Sequence, residues 1–263
     1  MRDALLDASP ARHGRRPFVA GLSGLQGSGK TTLARQLAAS MQEGGIRCEM
    51  LSLDDFYYGR RDRHRLARDV HPLLATRGVP GTHDVALLES TLDALPHASA
   101  RHPVRVPRFD KGRDTRVSPW HWRRITQPPR LVLLEGWCVG LPPQPQHALA
   151  APINALERDC DPHGTWRRYV NAQLAGLYAH LWHRLDRLVL LQAPDFAVVT
   201  RWRTQQEQAR RKRGAPHALD AAALRHFLQF FERLSRYALK TLPAQADMVL
   251  KLDEQHEVVW VSG

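Results

Sequence analysis

The stretch GLSGLQGSGKTTLARQL, residues 21–37, decides how the rest of the chain is interpreted. It overlaps a short apolar run, FVAGLS (18–23), and it continues into a segment that stops at Gly44 and Gly45. An apolar run, a glycine-rich turn and apolar residues at helical spacing predict a strand, a loop and a helix in succession. The apolar residues at that helical spacing are Leu33, Leu37 and Met41.

The loop between the predicted strand and helix, Gly24 to Thr31, has the pattern G-x-x-x-x-G-K-T of a phosphate-binding loop. Glycines let the backbone approach a polyphosphate, and successive N–H groups at a helix N-terminus bind anions. Lys30 can then bridge the β- and γ-phosphates, and the Thr31 hydroxyl can bind Mg²⁺. The pattern predicts ATP and Mg²⁺ as ligands; the alternative is an ordinary glycine-rich turn. The residues predicted to contact the nucleotide are Gly24, Gln26, Gly27, Ser28, Gly29, Lys30, Thr31 and Thr32.

Acidic residues end two further apolar runs. Asp54 and Asp55 follow IRCEMLSL (46–53), and Glu135 closes RLVLLEG (130–136). Because ligands bind at the carboxyl ends of the strands in open α/β sheets, we expect these acids beside the loop. We assign Asp54, rather than Asp55, the acceptance of a hydroxyl proton, and Glu135 a metal or general-base role. The alternatives are a turn cap for the aspartates and an arginine ion pair for Glu135.

The composition limits the class of protein. The chain has 263 residues, of which 43% are hydrophobic, so it can form a real core. No apolar run approaches the roughly 20 residues that span a bilayer. Three separated cysteines match no metal-ligand spacing, and we expect a cytoplasmic protein with reduced thiols. The net charge of +12 indicates anionic partners, and the sequence gives no indication of an oligomeric state.

Strand-like and helical patterns alternate along the chain, which predicts a mostly parallel sheet wrapped by helices. We expect a disordered tail over 1–16 and one domain over 17–263. An excursion over 56–83 lacks convincing periodicity. The role of its arginine-rich part, 59–81, as a lid, a pocket wall or an interface stays open. A proline-rich connector follows at 140–152. Helices are predicted within 83–95, 165–185, 195–214 and 221–242.

The chain resembles the P-loop kinases grouped with phosphoribulokinase, uridine kinase and pantothenate kinase, and among them the plant-type D-glycerate 3-kinases. Eight blocks carry the resemblance and fall in order over nearly the whole chain from residue 18. Taken one at a time, only the first block is specific enough to indicate the family. The blocks are GLQGSGKTT, LSLDDFY, RGVPGTHD, VPRFDK, LLEGWCVG, INALERDCD, RWRTQQEQ and ADMVLKLDE.

The resemblance implies a P-loop NTPase-type three-layer sandwich with helices on both faces of the sheet and a helical lid over 200–216. It implies transfer of the γ-phosphoryl group of ATP to D-glycerate, giving 3-phosphoglycerate. Asp54 is then the general base, and Thr31 and Glu135 bind the metal. The implied catalytic residues are Lys30, Asp54, Glu135 and Arg203. The implied acceptor-binding residues are Asp54, Arg77, His83, Asp84, Arg108, Asp110, Lys111 and Glu207.

Two features leave alternatives open. After VPRFDK the family usually continues through a longer loop, whereas this chain runs directly into GRDTRVSPWHW, which bears on the acceptor. The basic run RWRTQQEQARRKRG (201–214) fits either a phosphate clamp or a solvated helical face. Its cations are Arg201, Arg203, Arg210, Arg211, Lys212 and Arg213.

Other functions compete with a D-glycerate kinase. A kinase for pantothenate-, uridine- or sugar-phosphate-like metabolites uses the same loop and acids. A nucleotide-dependent nucleic-acid binder fits the basic charge, but acids grouped at strand ends argue against it because a phosphate backbone repels them. A scaffold without catalysis has no physical need for the intact set of Lys30, Thr31, Asp54 and Glu135.

Overall fold

The structure is a computed structural model that describes residues 16–212 and 219–263. All but the last residue of the predicted tail, and the end of the predicted lid region at 213–216, lie outside the described residues. The described residues form ten strands: β1 (Phe18–Gly24), β2 (Cys48–Ser52), β3 (Val104–Val106), β4 (Phe109–Asp110), β5 (Thr115–Arg116), β6 (Arg123–Ile125), β7 (Leu131–Gly136), β8 (Arg187–Gln192), β9 (Met248–Leu252) and β10 (Val258–Ser262).

Eight α-helices are found in the same residues, and most lie where the apolar spacing predicts them. They are α1 (Lys30–Glu43), α2 (Arg60–Asp69), α3 (Val85–Ala94), α4 (Ala155–Cys160), α5 (Thr165–Gln173), α6 (Ala179–Trp182), α7 (Phe196–Lys212) and α8 (Ala221–Thr241). Helix α1 packs on the sheet through Leu37 and Met41 and ends at Gly44, as predicted. Asp220 caps α8 by accepting a hydrogen bond from the Ala223 amide at 2.8 Å.

The central sheet has six strands in the order β10-β9-β8-β1-β7-β2. Strands β2, β7, β1, β8 and β9 are parallel, and β10 pairs with β9 in the antiparallel direction. Every residue of β1 and β7 is buried, as expected for parallel strands that are covered on both faces. The predicted α/β fold with a mostly parallel sheet and surrounding helices is confirmed.

Strand register brings the three loops with functional side chains to one edge. Leu22 of β1 and Ser52 of β2 both lie opposite Glu135 of β7. The residues that follow β1, β2 and β7 therefore emerge side by side at the carboxyl edge of the sheet, where α/β proteins bind ligands.

The arginine-rich excursion is more regular than its sequence predicts. It contains α2 and a short 3₁₀ turn, Pro72–Ala75. The buried residues on this segment include Arg63, which donates to the carbonyls of Tyr58 and Ala75 at 3.1 and 2.6 Å. A hydrophobic pattern could not reveal this helix because its buried side chain is a cation.

The predicted helix over 165–185 is interrupted by a π-helical turn, Leu174–Tyr178. A π turn adds a residue to one helical turn and so shifts the side chains that follow. Apolar residues at helical spacing over this segment predict one buried stripe that includes Leu177, and this prediction is wrong because Leu177 is half exposed. Within the described residues, no helix is long and apolar enough to cross a membrane.

Candidate active site

The loop after β1 has the backbone geometry that its glycines predict. Gly27 and Gly29 have φ angles of 88° and 86°, a region that side chains rarely occupy. Gly29 is the N-cap of α1, and Lys30 is the first residue of that helix. A Cβ atom on Gly24 would come within 2.8 Å of Ser28 Oγ. The loop is therefore closely wound and presents a helix N-terminus to the carboxyl edge of the sheet, as an anion site requires.

Glu135 lies under this loop and connects it to β2. Its Oε1 atom accepts hydrogen bonds from Thr31 Oγ1 at 3.2 Å and from Ser52 Oγ at 2.6 Å. Glu135 is buried, and Lys30 is close enough to interact with it electrostatically. Burial lowers the pKa of the Lys30 ammonium, against the opposing attraction of Glu135 and Asp54. One cation and a buried carboxylate thus flank the Thr31 hydroxyl.

These groups fit a nucleotide and a magnesium ion. Thr31 and Glu135 supply one hydroxyl and one carboxylate, and Mg²⁺ typically takes few protein ligands because phosphates and waters complete its shell. In the described ranges, no group of three or more His, Cys, Asp or Glu side chains could hold a metal alone. Ser28 Oγ and the Gln26 amide are buried without hydrogen-bond partners there. Such unsatisfied polar atoms in the loop are suited to a polar ligand.

Asp54 and Asp55 occupy the 3₁₀ turn Leu53–Phe56 after β2 and have different environments. Asp54 Oδ2 lies 2.6 Å from the Lys111 ammonium, and Asp54 Oδ1 accepts a hydrogen bond from the Tyr57 hydroxyl at 3.0 Å. Asp55 accepts the Phe109 amide at 3.0 Å and so anchors β4. These contacts make Asp54 the better candidate for catalysis.

Two cations determine the charge of Asp54. Burial alone would raise the pKa of Asp54, but Lys111 and, more weakly, Lys30 outweigh it and hold that pKa below its ordinary value. Reciprocally, the Asp54 carboxylate raises the pKa of Lys111. Asp54 is therefore ionised at neutral pH and can accept a proton.

Arg77 is held beside Lys111 by Asp114, a residue that the sequence did not single out. Arg77 pairs with Asp114, lies 5.4 Å from the centre of the Phe109 ring, and has its Nη2 atom 3.4 Å from the Lys111 carbonyl oxygen. Asp114 also accepts a 2.7 Å bond from buried Arg63 and has a positive φ of 54°. Asp114 thus connects Arg63 and Arg77 of the excursion to the segment that carries Lys111.

His83 belongs to a buried aromatic cluster next to Asp54. Its ring stacks on Tyr57 with 4.3 Å between centroids, and its Nδ1 atom lies 2.6 Å from the Tyr178 hydroxyl. The backbone amide of Gly81 donates to that hydroxyl oxygen at 3.1 Å. We assign the Tyr178 proton to a hydrogen bond with Nδ1 of His83, because the reverse direction would leave the buried hydroxyl proton of Tyr178 without an acceptor among the described residues.

The protonation state of His83 follows. Burial lowers the pKa of His83 from 6.5 to about 4, so the ring is neutral near pH 7. With Nδ1 as the acceptor, the proton of the neutral ring is on Nε2, and this buried atom has no hydrogen-bond partner among the described residues. His83 is therefore a hydrogen-bond donor with unused capacity.

Three of the residues predicted to bind the acceptor either make local structural contacts or are exposed. Asp84 caps α3 through the Leu87 amide at 3.1 Å and pairs with Arg116 at 2.9 Å. Asp110 caps its own turn by accepting the Gly112 and Arg113 amides. Arg108 is exposed. The structure thus gives Asp84 and Asp110 local structural roles that capping patterns in the sequence could have indicated.

Helix α7 carries the predicted lid residues. Arg203 Nη2 lies 2.8 Å from Glu207 Oε1, and Arg203 is near enough to Lys30 to lower its pKa after the larger effects of burial, Glu135 and Asp54. Glu207 and Trp202 are both buried, which explains why they interrupt the basic run. The side chain of Arg210, and Arg213, lie outside the described residues. The remaining predicted cations, Arg201, Arg211 and Lys212, are exposed.

Comparison with known proteins identifies relatives that are kinases. The chain is 34% identical over 216 residues to the uncharacterized kinase mug58 of Schizosaccharomyces pombe, covering 79% of this chain and 76% of that protein. It is 31% identical over 255 residues to chloroplastic D-glycerate 3-kinase of Arabidopsis thaliana, covering 92% of this chain. The chain spans about half of the plant enzyme, 53% of its length.

A solved structure supports the fold. D-glycerate 3-kinase from Cryptococcus neoformans superposes with a TM-score of 0.80 at 23% identity, covering 99% of this chain and 96% of that one. No protein-family model matches the chain. The loop geometry, the acids at the sheet edge and the extent of identity lead to one conclusion: the chain belongs to the family of P-loop kinases that contains the fission-yeast kinase and plant D-glycerate 3-kinase.

Proposed function

We propose that this kinase transfers the γ-phosphoryl group of ATP to a hydroxyl of a small anionic acceptor, and that the acceptor is D-glycerate, giving 3-phosphoglycerate. The observation that carries the proposal is the pairing of Asp54 with Lys111, next to which Arg77 lies. Asp54 also lies close enough to Lys30 to affect its pKa. A small hydroxy acid offers a hydroxyl for the base and a carboxylate for the cations.

The nucleotide is held by the loop between β1 and α1. Backbone N–H groups and the Lys30 ammonium neutralise the β- and γ-phosphates, and Thr31 and Glu135 would hold Mg²⁺. When bound, the ion supplies Lewis-acid stabilisation of the phosphate oxygens. The buried bonds of Glu135 to Thr31 and Ser52 orient the carboxylate for that task. The protein thus contributes position and charge rather than covalent chemistry.

The acceptor is held on the side of Asp54 opposite the nucleotide. Lys111 and Arg77 bind its carboxylate, and His83 Nε2–H is a neutral donor for a further oxygen. Asp54 accepts the proton of the attacking hydroxyl as the bond from its oxygen to the γ-phosphorus forms, while the bond from that phosphorus to the bridging oxygen of ADP breaks and ADP leaves. The pairing of Asp54 with Lys111 keeps Asp54 ionised, at the cost of basicity, so positioning provides most of the rate.

Residues 17–263 form one kinase domain in this proposal, and the region 200–216 is its lid. Arg203 offsets charge that develops on the transferred phosphoryl group. Glu207 was implied to bind the acceptor; its 2.8 Å contact with Arg203 supports a role in orienting that arginine.

The test is ADP release by the purified protein with MgATP and each of five conditions: D-glycerate, pantothenate, uridine, ribulose 5-phosphate and no acceptor. The product is identified by mass spectrometry, with 2- and 3-phosphoglycerate separated. Selective formation of 3-phosphoglycerate supports the proposal. Turnover of a different acceptor would contradict D-glycerate as the substrate but support phosphoryl transfer. Nucleotide binding without turnover of any acceptor would contradict both the proposed substrate and the proposed reaction.

A further inference from the structure

The turn between β9 and β10, residues 253–257, contacts the phosphate-binding loop from the far end of the chain. His256 Nε2 lies 2.8 Å from the carbonyl oxygen of Gly27. A carbonyl oxygen can only accept a hydrogen bond, so Nε2 carries a proton and donates it. This contact fixes the direction of one peptide group in the loop.

Trp202 of α7 packs against both residues of this hydrogen bond, His256 and Gly27. Its ring stacks on His256 with 4.2 Å between centroids, and its Nε1 donates to the Glu254 carbonyl at 2.8 Å. Trp202 is fully buried, and a Cβ atom on Gly27 would come within 2.9 Å of Trp202 Cβ. Gly27 is therefore enclosed by the tryptophan on one side and held at its carbonyl by the histidine.

The turn is built to present His256. Asp253 Oδ1 accepts hydrogen bonds from the amides of Gln255 and Glu257, both at 2.9 Å. Between them His256 has a φ of 71°, a left-handed conformation that is uncommon for residues other than glycine. A strained residue whose side chain makes a specific contact is a reason to look for function.

The direction of the Gly27 carbonyl matters because the loop binds an anion. A phosphate-binding loop works by directing N–H groups inward, and a carbonyl turned inward would present negative charge to the phosphates. Gly27 has the freedom to allow such a rotation, since glycine populates many backbone conformations. The hydrogen bond from His256 to the Gly27 carbonyl opposes this rotation.

We propose that His256 is a positioning residue for nucleotide binding: by donating to the Gly27 carbonyl it keeps that peptide group turned away from the phosphates. The inference rests on the proposed nucleotide site but is independent of which acceptor is phosphorylated. It assigns a role in nucleotide affinity to a residue near the end of the chain that contacts no proposed acceptor residue.

Three variants separate the hydrogen bond from stacking and from backbone strain. His256→Phe keeps a ring for Trp202 and removes the donor. His256→Gln removes the ring but has an amide nitrogen at about the distance of Nε2. His256→Gly removes both and relaxes the left-handed backbone. Gln255→Ala, an exposed side chain in the same turn, is the matched control.

The readout is the Kd for MgATP by isothermal titration calorimetry, with thermal unfolding measured on each variant. We expect His256→Phe and His256→Gly to bind MgATP about fivefold more weakly than the unaltered protein. This factor corresponds to about 1 kcal/mol, the net contribution of one hydrogen bond. His256→Gln should stay within about twofold of the unaltered protein, as should Gln255→Ala. The KM for the acceptor should not change.

Equal affinity in His256→Phe and the unaltered protein would overturn the inference alone. So would tight binding by His256→Phe with weak binding by His256→Gln, because stacking would then be the cause. Unaltered protein that binds no MgATP would contradict the proposed nucleotide site and this inference together. The expected pattern in a protein that transfers no phosphoryl group would leave the inference standing and contradict the proposed reaction.

Discussion

The Lys111 ammonium lies 2.6 Å from Oδ2 of Asp54, so the carboxylate proposed as general base is paired with a cation that also faces the proposed acceptor site. One lysine therefore influences both the charge of the base and the binding of an anionic acceptor. The two effects respond differently to substitution, which makes them separable by experiment.

Asp54→Asn should greatly slow transfer while preserving nucleotide binding. The amide cannot accept the hydroxyl proton, and positioned proton transfer contributes about 10²–10⁴ in rate. We expect kcat to fall in that range with a nearly unchanged Kd for MgATP. Steady-state kinetics and calorimetry on the same preparation measure both quantities. Full activity in Asp54→Asn would remove this residue from the mechanism.

Lys111→Met should shift the acid limb of the pH profile. Lys111 holds the pKa of Asp54 below its ordinary value, so its loss raises that pKa and Asp54 becomes protonated at higher pH. The limb of log(kcat/KM) in which activity falls with acid should therefore move to higher pH. The KM for the acceptor should rise because a cation is lost, whereas Lys111→Arg should preserve the limb. An unmoved limb in Lys111→Met would contradict the electrostatic pairing.

Asp114→Asn should destabilise the fold and weaken acceptor binding. Arg63 is buried and would lose its counter-charge, at a cost of about 2 kcal/mol, and Arg77 would lose its anchor. Urea unfolding measures the first effect and the acceptor KM measures the second. Asp62→Asn, at an exposed site next to Arg63 on α2, is the control and should change stability by less than about 0.5 kcal/mol. Equal values for the two variants would exclude this role for Asp114.

The tautomer of His83 can be observed directly. Tyr178 donates to Nδ1, so ¹⁵N spectra of imidazole-labelled protein at neutral pH should give Nε2 the shift of a protonated nitrogen and Nδ1 that of an unprotonated one. In Tyr178→Phe the donor is lost and the two nitrogens should move toward the mixture of a free imidazole. A protonated Nδ1 in the unaltered protein would refute the hydrogen-bond assignment.

His83 should also make stability depend on pH. Its pKa is about 4 in the folded state against 6.5 when exposed, so between these values the unfolded chain binds more protons than the folded one. Stability is full above about pH 6.5 and falls as pH decreases toward 4, by roughly 3 kcal/mol from this group. His83→Gln should reduce that fall. Urea unfolding of both proteins from pH 4 to pH 7 tests the difference, and parallel curves would contradict it.

The sequence predicts the sheet and the phosphate-binding loop because their signals are local. Leu37 and Met41 lie on the buried face of α1, and Glu135 is the last residue but one of a buried strand beside the loop. The loop glycines require the left-handed backbone that Gly27 and Gly29 have. Such features depend on a few neighbouring residues, so their spacing is sufficient.

Other parts of the site depend on contacts between distant residues. Arg63 is buried by bonds to Tyr58, Ala75 and Asp114, and no periodic pattern marks a buried cation. The Tyr178–His83 and His256–Gly27 pairs join separate segments of the chain, and each partner alone resembles an ordinary surface or core residue. These relationships appear only after the chain is folded.

The place of β1 at the centre of the sheet has a consequence for synthesis on the ribosome. Phe18 pairs with Leu131, and Ala20 pairs with Arg187, so both neighbours of this early strand are made much later. Contacts so far apart in sequence form slowly, and unpaired apolar strands are prone to association. The nascent chain therefore exposes an apolar strand that lacks both neighbours until β7 and β8 have emerged from the ribosome.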